Sequence, residues 1–177
     1  MAVAVAVPVT LLLVVLATSD PAGVRAADSP LLGKPAPGIA GDSIDGQSVR
    51  LETFGGRWVL VNFFATWCTP CVQEHDDLIR FEQAHRTAGD VAVLGVVYDD
   101  SAGAVRKFRD QRGGAWPMLN DPQGRIALDF GVAGVPESYL VSPDGVVAAK
   151  LIGGVDFAGL EDILARVKAG TAGTVKP

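Results

Sequence analysis

The stretch "FFATWCTPCVQEH", residues 63–75, contains both cysteines of the chain, Cys68 and Cys71, separated by two residues. An acid, Glu74, and a histidine, His75, follow them directly. A cysteine pair at this spacing can be a redox centre, two ligands of a metal ion or a structural disulfide. The flanking sequence helps to distinguish these possibilities.

The cysteines follow a predicted strand and open a predicted helix. Residues 58–64 ("WVLVNFF") and 91–97 ("VAVLGVV") are apolar runs of strand length, typical of strands buried on both faces. Residues 69–84 lie between them and predict a helix, with Pro70 in its first turn, where a missing N–H costs nothing. Strand, helix and strand in this order predict a right-handed parallel crossover.

The sequence offers too few ligands of the usual kind for a closed metal site. A structural zinc site needs four, and the chain offers only His75 and His85 besides the cysteines. These histidines are about 15 Å apart along one helix at 1.5 Å per residue, so they cannot share an ion. Cys68, Cys71 and His75 could still hold copper(I), which accepts few, soft ligands. For His75 itself we expect a solvated or capping role, and for His85 a surface position.

The redox interpretation accounts best for the position of the pair. A structural disulfide that closes so short a loop adds little stability, because the stabilisation grows with loop length. Cys68 faces the unpaired N–H groups and the positive end of the helix, which favour the attacking thiolate. We therefore expect Cys68 to be the exposed nucleophile and Cys71, one turn along, to resolve the mixed disulfide.

The rest of the chain completes an α/β domain. Residues 102–111 and 125–130 predict helices, and residues 138–151 predict a hairpin that turns at Pro143-Asp144-Gly145. Residues 156–167 predict a closing helix with one apolar face. The expected architecture is a mixed central sheet flanked by helices.

The N-terminus predicts export. Residues 2–17 carry no charge and are mainly apolar, which is slightly short for a bilayer span and typical of an export signal. We expect residues 1–26 to be a signal peptide, cleaved after Ala26, or a membrane anchor. A linker over 27–36, a domain over 37–170 and a flexible tail over 171–177 should follow. The formal charge of −5 and the lack of a basic cluster exclude a nucleic-acid role.

Two motifs resemble one family. "VLVNFFATWCTPC" (59–71) is similar to the active-site strand and turn of thioredoxin-like proteins, and "GVPESYLVSPDGVV" (134–147) to their cis-proline loop. Together they resemble the exported TlpA/DsbE-type thioredoxins of cytochrome c maturation, over residues 33–168. This resemblance implies a thioredoxin-like fold with a strand–helix insertion, at about 99–125, before the cis-proline loop.

The resemblance also implies roles for single residues. Glu74, an acid one turn beyond Cys71, becomes the proton-transfer candidate, because the position of the buried acid of thioredoxin is occupied by Asn62. Glu137 becomes a second acid near the site, and Pro136 is expected in the cis form. The expected substrate-binding residues are Trp67, Pro70, Val135, Pro136 and Glu137.

The expected function is that of an extracytoplasmic thiol–disulfide oxidoreductase. Acids near the cysteines disfavour the thiolate and make the pair reducing. The resemblance implies that the substrate is apocytochrome c or a relay thiol protein, and that a membrane thiol carrier re-reduces the pair. We expect a monomer without a bound cofactor or metal.

Two alternatives use the same cysteines. A copper or haem-delivery chaperone would use them as ligands and remains open at this point. A peroxidase of the related fold would follow a Pro-x-x-x-Thr-x-x-Cys pattern, but Val61 and Ala65 stand at the proline and threonine positions.

Overall fold

The computed structural model describes residues 25–170 of the chain. The predicted cleavage at Ala26 lies at the start of this range, whereas most of the predicted leader and the predicted tail lie outside the described residues. None of the helices in this range is long and apolar enough to cross a bilayer.

The described residues form eight strands, four α-helices and one 3-10 turn. In chain order they are β1 (Arg25–Ala27), β2 (Ala40–Asp42), β3 (Ser48–Arg50), the 3-10 turn (Leu51–Phe54), β4 (Trp58–Phe64), α1 (Thr69–Arg86), β5 (Val91–Val97), α2 (Ala102–Arg112), β6 (Met118–Asn120), α3 (Arg125–Phe130), β7 (Glu137–Val141), β8 (Val147–Ile152) and α4 (Phe157–Lys168).

The central sheet has six strands in the order β1-β8-β7-β4-β5-β6. Strands β4, β5 and β6 run parallel, while β7, β8 and β1 continue the sheet in antiparallel fashion. The two apolar runs of the sequence are the adjacent strands β4 and β5, and every residue of β5 is buried. Burial on both faces explains why these strands lack the alternating pattern of a half-exposed sheet.

Helices cover both faces of this sheet. Helices α1, α2 and α4 pack on one face through residues such as Phe81, Val105 and Leu160. The other face carries α3, the 3-10 turn and the β2–β3 hairpin, packed around residues such as Phe130 and Phe54. The predicted mixed sheet between helices is therefore present.

The segment predicted as a strand–helix insertion contains both elements but in the opposite order, with helix α2 followed by strand β6. Strand β6 extends the sheet beside β5. Its outer edge is partly paired in turn, because the Ile44 N–H donates to the Met118 carbonyl over 2.8 Å. The segment thus widens the sheet on the side of the parallel strands.

The segment predicted as a linker, 27–36, packs on the domain. Strand β1 pairs with β8 at the edge of the sheet. Further along, the Gly33 N–H donates to the Val147 carbonyl and the Val147 N–H to the Lys34 carbonyl, both over 2.9 Å. Leu31 and Leu32 pack against the core on the α3 side. The proline- and glycine-rich composition of this segment predicts turns correctly but conceals these long-range contacts.

Candidate functional site

The two cysteines lie where β4 passes into α1. Cys68 is the N-cap residue of α1, and its sulfur accepts a hydrogen bond from the Cys71 N–H over 3.2 Å. Pro70 lies in the first turn, as expected. The two sulfurs form a disulfide, so the structure shows the oxidised state.

The cysteines are equally covered in this state. Cys68 is 5% exposed and Cys71 4%, so neither residue is clearly the more accessible one in the disulfide form, and the expected exposure of Cys68 in the reduced protein stays a prediction. The loop before β7 covers Cys68, because the Val135 carbonyl oxygen lies 3.5 Å from the Cys68 sulfur. Sequence position at a helix start could not reveal this distant cover.

The Val135–Pro136 peptide bond is cis, as the resemblance implies. An open cavity of about 780 Å³ runs between this loop, the first turns of α1 and the loop after β8. Four of the expected substrate-binding residues line it, namely Pro70, Val135, Pro136 and Glu137. The backbone of the loop is therefore placed beside both the disulfide and the cavity.

Trp67 is fixed on the surface next to the disulfide. Its side chain is 59% exposed and does not line the cavity. The indole Nε1 donates to the Asp99 carbonyl over 3.0 Å, and the neighbouring Thr66 binds the Asp100 carboxylate through both its N–H and its hydroxyl. These bonds hold the residues before Cys68 against the loop that follows β5.

Glu74 is a buried carboxylic acid behind the cysteines. It is 3% exposed, and its Oε1 accepts from Asn62 Nδ2 while its Oε2 accepts from the Val155 N–H, each over 2.9 Å. Burial raises the pKa of Glu74 to about 7, although the two hydrogen bonds counteract part of this effect. At neutral pH the group can therefore both accept and release a proton.

Asn62 has a role that the sequence reasoning missed. Its Nδ2 donates to Glu74 and also lies 3.0 Å from Ser138 Oγ, so the amide connects α1 with β7 through β4. A polar residue inside a buried strand needs partners, since an unpaired buried amide is costly. That rule predicts a partner for Asn62 but does not say which residue it is.

Glu137 lines the cavity, but its charge is compensated. Its Oε1 accepts from the Ala133 N–H over 3.1 Å, and its Oε2 lies 2.9 Å from Lys150 Nζ. Neighbouring Ser138 contacts Asn62 on the α1 face, so Glu137 points to the opposite face of the sheet. The expectation of a second acid acting on the sulfurs is thus not met, because Lys150 neutralises it.

The two histidines are less exposed than predicted. His75 is 3% exposed, its Nε2 lies 3.0 Å from the Gly113 carbonyl, and its ring packs against Phe108 and Trp116. Burial lowers the pKa of His75. The predicted solvated position is therefore wrong, because the helix that follows β5 covers this side of α1, whereas the contact with Gly113, the C-cap residue of that helix, is a capping contact.

His85 is half-buried rather than fully exposed. Its side chain is 13% exposed, and its two ring nitrogens lie 2.9 Å from Asp90 and 3.0 Å from Glu161. These contacts join the end of α1 to α4. Within the described residues, no group of three or more His, Cys, Asp or Glu side chains is arranged to hold a metal ion.

Comparison with known proteins gives consistent matches. Residues 32–150 match the model of the AhpC/TSA family. The thiol:disulfide interchange protein DsbE of Pseudomonas aeruginosa is 34% identical over 131 residues, which cover 72% of this chain and 70% of that protein.

Two solved structures are also similar. The thioredoxin domain of a thiol-disulfide oxidoreductase from Bacteroides vulgatus is 26% identical, with a TM-score of 0.67 over 81% of this chain and 99% of that one. A secreted thiol-disulfide isomerase from Corynebacterium glutamicum is 25% identical, with a TM-score of 0.70 over 82% of this chain and 92% of that one. The thioredoxin-like fold is thereby confirmed.

The raised pKa of Glu74 predicts a pH-dependent stability. The folded-state pKa, about 7, lies above the ordinary value of 4.5, so the folded protein keeps a proton that the unfolded chain has lost. The contribution of Glu74 to the free energy of unfolding is then full below pH 4.5 and is lost as the pH rises to about 7. This loss should amount to about 3 kcal/mol.

Denaturant unfolding of the oxidised protein at pH 4.5 and pH 8 measures this loss. The Glu74→Gln variant should lack it, whereas Asp76→Asn, which changes an exposed acid on the same helix, should keep it. An equal pH dependence in the parent and in Glu74→Gln would show that Glu74 does not carry the effect.

Proposed function

The chain belongs to the AhpC/TSA family and is a thiol–disulfide oxidoreductase of the TlpA/DsbE type, and from this premise we propose that it works as a reductant outside the cytoplasmic membrane. One observation supports the proposal above the others. A cysteine pair at the start of α1 lies between a cis-proline loop and a buried carboxylic acid whose pKa is near neutrality.

In the proposed reaction, reduced Cys68 attacks first. Its thiolate attacks one sulfur of a substrate disulfide, forms a mixed disulfide and releases the other substrate sulfur as a thiolate. The Val135 backbone, next to Cys68, offers polar groups to an extended substrate segment, as in the addition of a strand. Trp67, Pro70 and Pro136 flank this position.

Cys71 completes the exchange. Glu74, one helical turn further along, accepts the proton of the Cys71 thiol, and the resulting thiolate attacks the Cys68 sulfur. The second substrate sulfur leaves as a thiolate, the substrate has gained two electrons and the protein ends with the Cys68–Cys71 disulfide. Asn62 and the Val155 N–H hold the carboxylate in place during this step.

The reducing direction follows from the charge near the sulfurs. The ionised form of Glu74 disfavours a neighbouring thiolate and so raises the pKa of the cysteines, which favours the oxidised protein and the reduced substrate. In strong oxidants the opposite holds, because their reduced form is the stabilised one.

We further propose apocytochrome c, or a relay thiol protein, as the substrate and a membrane thiol carrier as the source of electrons. The support is the TlpA/DsbE-type motif set around Cys68 and Pro136 and the apolar N-terminus, which suits export or anchoring. Outside the cytoplasm thiols are not kept reduced by a soluble pool, so a dedicated donor is needed.

The alternatives receive less support from the geometry. In a copper chaperone, His75 would have to bind the same ion as the two cysteines. Its ring is instead hydrogen-bonded to the Gly113 carbonyl and packs against Phe108 and Trp116. For a peroxidase, the proline and threonine positions are occupied by Val61, inside β4, and Ala65.

Substrate trapping tests the proposal. Cys71→Ser should accumulate a mixed disulfide between Cys68 and an oxidised Cys-x-x-Cys-His peptide, because the resolving thiol is absent. Non-reducing electrophoresis and mass spectrometry detect the adduct, and the matched variant Cys68→Ser should form none. Capture mainly by Cys68→Ser would reverse the assigned roles.

Replacing Glu74 should affect both cysteines. In Glu74→Gln the pKa of Cys68 should fall by up to about one unit, because a nearby negative charge is removed. Release of the peptide from the mixed disulfide should slow by about a hundredfold, because the proton acceptor of Cys71 is lost. Thiolate absorbance against pH and stopped-flow kinetics measure the two effects, with Asp76→Asn as the control. A parental release rate in Glu74→Gln would remove Glu74 from the mechanism.

The direction of the reaction has its own thermodynamic test. For a reductant, the oxidised protein should melt at a temperature no lower than the reduced one, since linkage ties a reducing potential to a stable disulfide form. Thermal unfolding with and without a reducing agent measures this, and the double variant Cys68→Ser/Cys71→Ser controls for the agent itself. A clearly more stable reduced form would assign the protein as an oxidant instead.

A further inference from the structure

The loop that covers Cys68 is held by a buried ion pair. Residues 131–136 connect α3 to β7, and we call the side chains of Glu137 and Lys150 the loop clamp. Glu137 Oε1 accepts from the Ala133 N–H over 3.1 Å, and Lys150 Nζ donates to the Gly131 carbonyl over 3.3 Å. Because Glu137 and Lys150 are 2.9 Å apart, one ion pair binds the loop backbone at two points.

The clamp is built into the sheet. Glu137 and Lys150 lie on the paired strands β7 and β8, where Tyr139 is opposite Lys150. The Tyr139 ring lies 5.3 Å from Lys150 Nζ, and its hydroxyl donates to the Phe130 carbonyl over 2.6 Å. The sheet therefore fixes both charges, and their contacts extend from it to the end of α3 and the loop.

Stability alone does not account for this pair. Glu137 and Lys150 are 3% and 8% exposed, and an ion pair at such depth is often no more stable than two apolar side chains of similar volume. What an apolar pair could not provide is the two hydrogen bonds to the loop backbone. Val132 and Val135 of the loop pack against the core, but Gly134 between them does not, since no atom outside its chain neighbours lies within 4 Å of the place that a Cβ on Gly134 would take.

We propose that Glu137 and Lys150 are positioning residues that hold the Val135 backbone at the distance from Cys68 that a substrate segment requires. This inference rests on the proposed function, in which the Val135 backbone docks the substrate. Neither side chain needs to touch the reacting sulfurs, because the ion pair acts through the loop. The assignment replaces the expected role of Glu137 as an acid that acts on the cysteines.

The two faces of the sheet then have separate roles, with substrate docking supported from one face and resolution of the mixed disulfide from the other. The clamp lies on the face opposite to Glu74, so its removal should disturb docking and leave resolution by Cys71 intact. A misplacement of about 1 Å in a docking element can cost up to a hundredfold in rate. For loss of the clamp we expect a rise in KM of about tenfold for a disulfide peptide.

The experiment compares Lys150→Met, Glu137→Met and the double variant Glu137→Met/Lys150→Met. Each single variant leaves one buried charge without its partner and should melt at a lower temperature, whereas the double variant should recover most of that loss. All three should show the raised KM with an unchanged rate of mixed-disulfide release. Lys107→Met, which removes an exposed lysine on α2, should match the parent in both quantities.

The double variant separates the effect of the ion pair on the stability of the protein from its effect on substrate docking. If KM recovers together with the melting temperature in the double variant, the pair is only structural and the inference is overturned. If a single variant does not fold, the double variant alone decides, because it leaves no unpaired charge. A second measurement is hydrogen exchange of the Ala133 N–H, which should speed up at least tenfold without the clamp. Exchange at the parental rate would also overturn the inference.

Failure of the proposed function would look different. In that case the parent itself would not reduce the peptide, while the exchange of the Ala133 N–H would still report whether the clamp holds the loop. Activity of the parent with an unchanged KM in the double variant would reject the clamp and leave the proposed function standing.

Discussion

The burial of one carboxylic acid, Glu74, joins three parts of the site. Its two oxygens bind Asn62 in β4 and the Val155 N–H in the loop after β8, so α1 is fixed to the sheet at the point where it carries Cys71. A carboxylate removed from water needs such partners, because an unpaired buried charge is far more costly than an unpaired polar group. The same burial places its pKa at about 7. The buried position of Glu74 thus explains both its hydrogen bonds to the sheet and its raised pKa.

The central sheet separates two kinds of polar contact. On the α1 face, Asn62, Glu74 and Ser138 form a network of hydrogen bonds directly behind the cysteines. On the opposite face, Glu137 and Lys150 form an ion pair that reaches the loop before β7. Alternation along β7 turns the neighbouring residues Glu137 and Ser138 to opposite faces. The disulfide lies at the end of the central strand β4, so the two acids can act on its surroundings from opposite faces of the sheet.

Much of the fold could be predicted because its signals are local. The apolar runs at 58–64 and 91–97 predicted β4 and β5 with their observed bounds, and the helix after Cys68 is present as Thr69–Arg86. The features that escaped prediction depend on partners far away in the sequence. Lys150 neutralises Glu137 through strand register, and His85 is covered by α4. The segment 27–36 packs on the sheet through contacts that its composition does not encode, and the cover on Cys68 comes from a loop more than sixty residues later.

The edge strand β1 has a consequence for the cleavage predicted after Ala26. The predicted cleavage after Ala26 falls inside the three residues that pair with β8. A peptidase binds its substrate as an extended, unpaired segment, so a paired strand must open before it can be cut. Cleavage and strand pairing are then in kinetic competition for the same peptide group. A cut at the predicted position before folding would leave much of this edge of β8 open, and folding first would protect the predicted position from the peptidase.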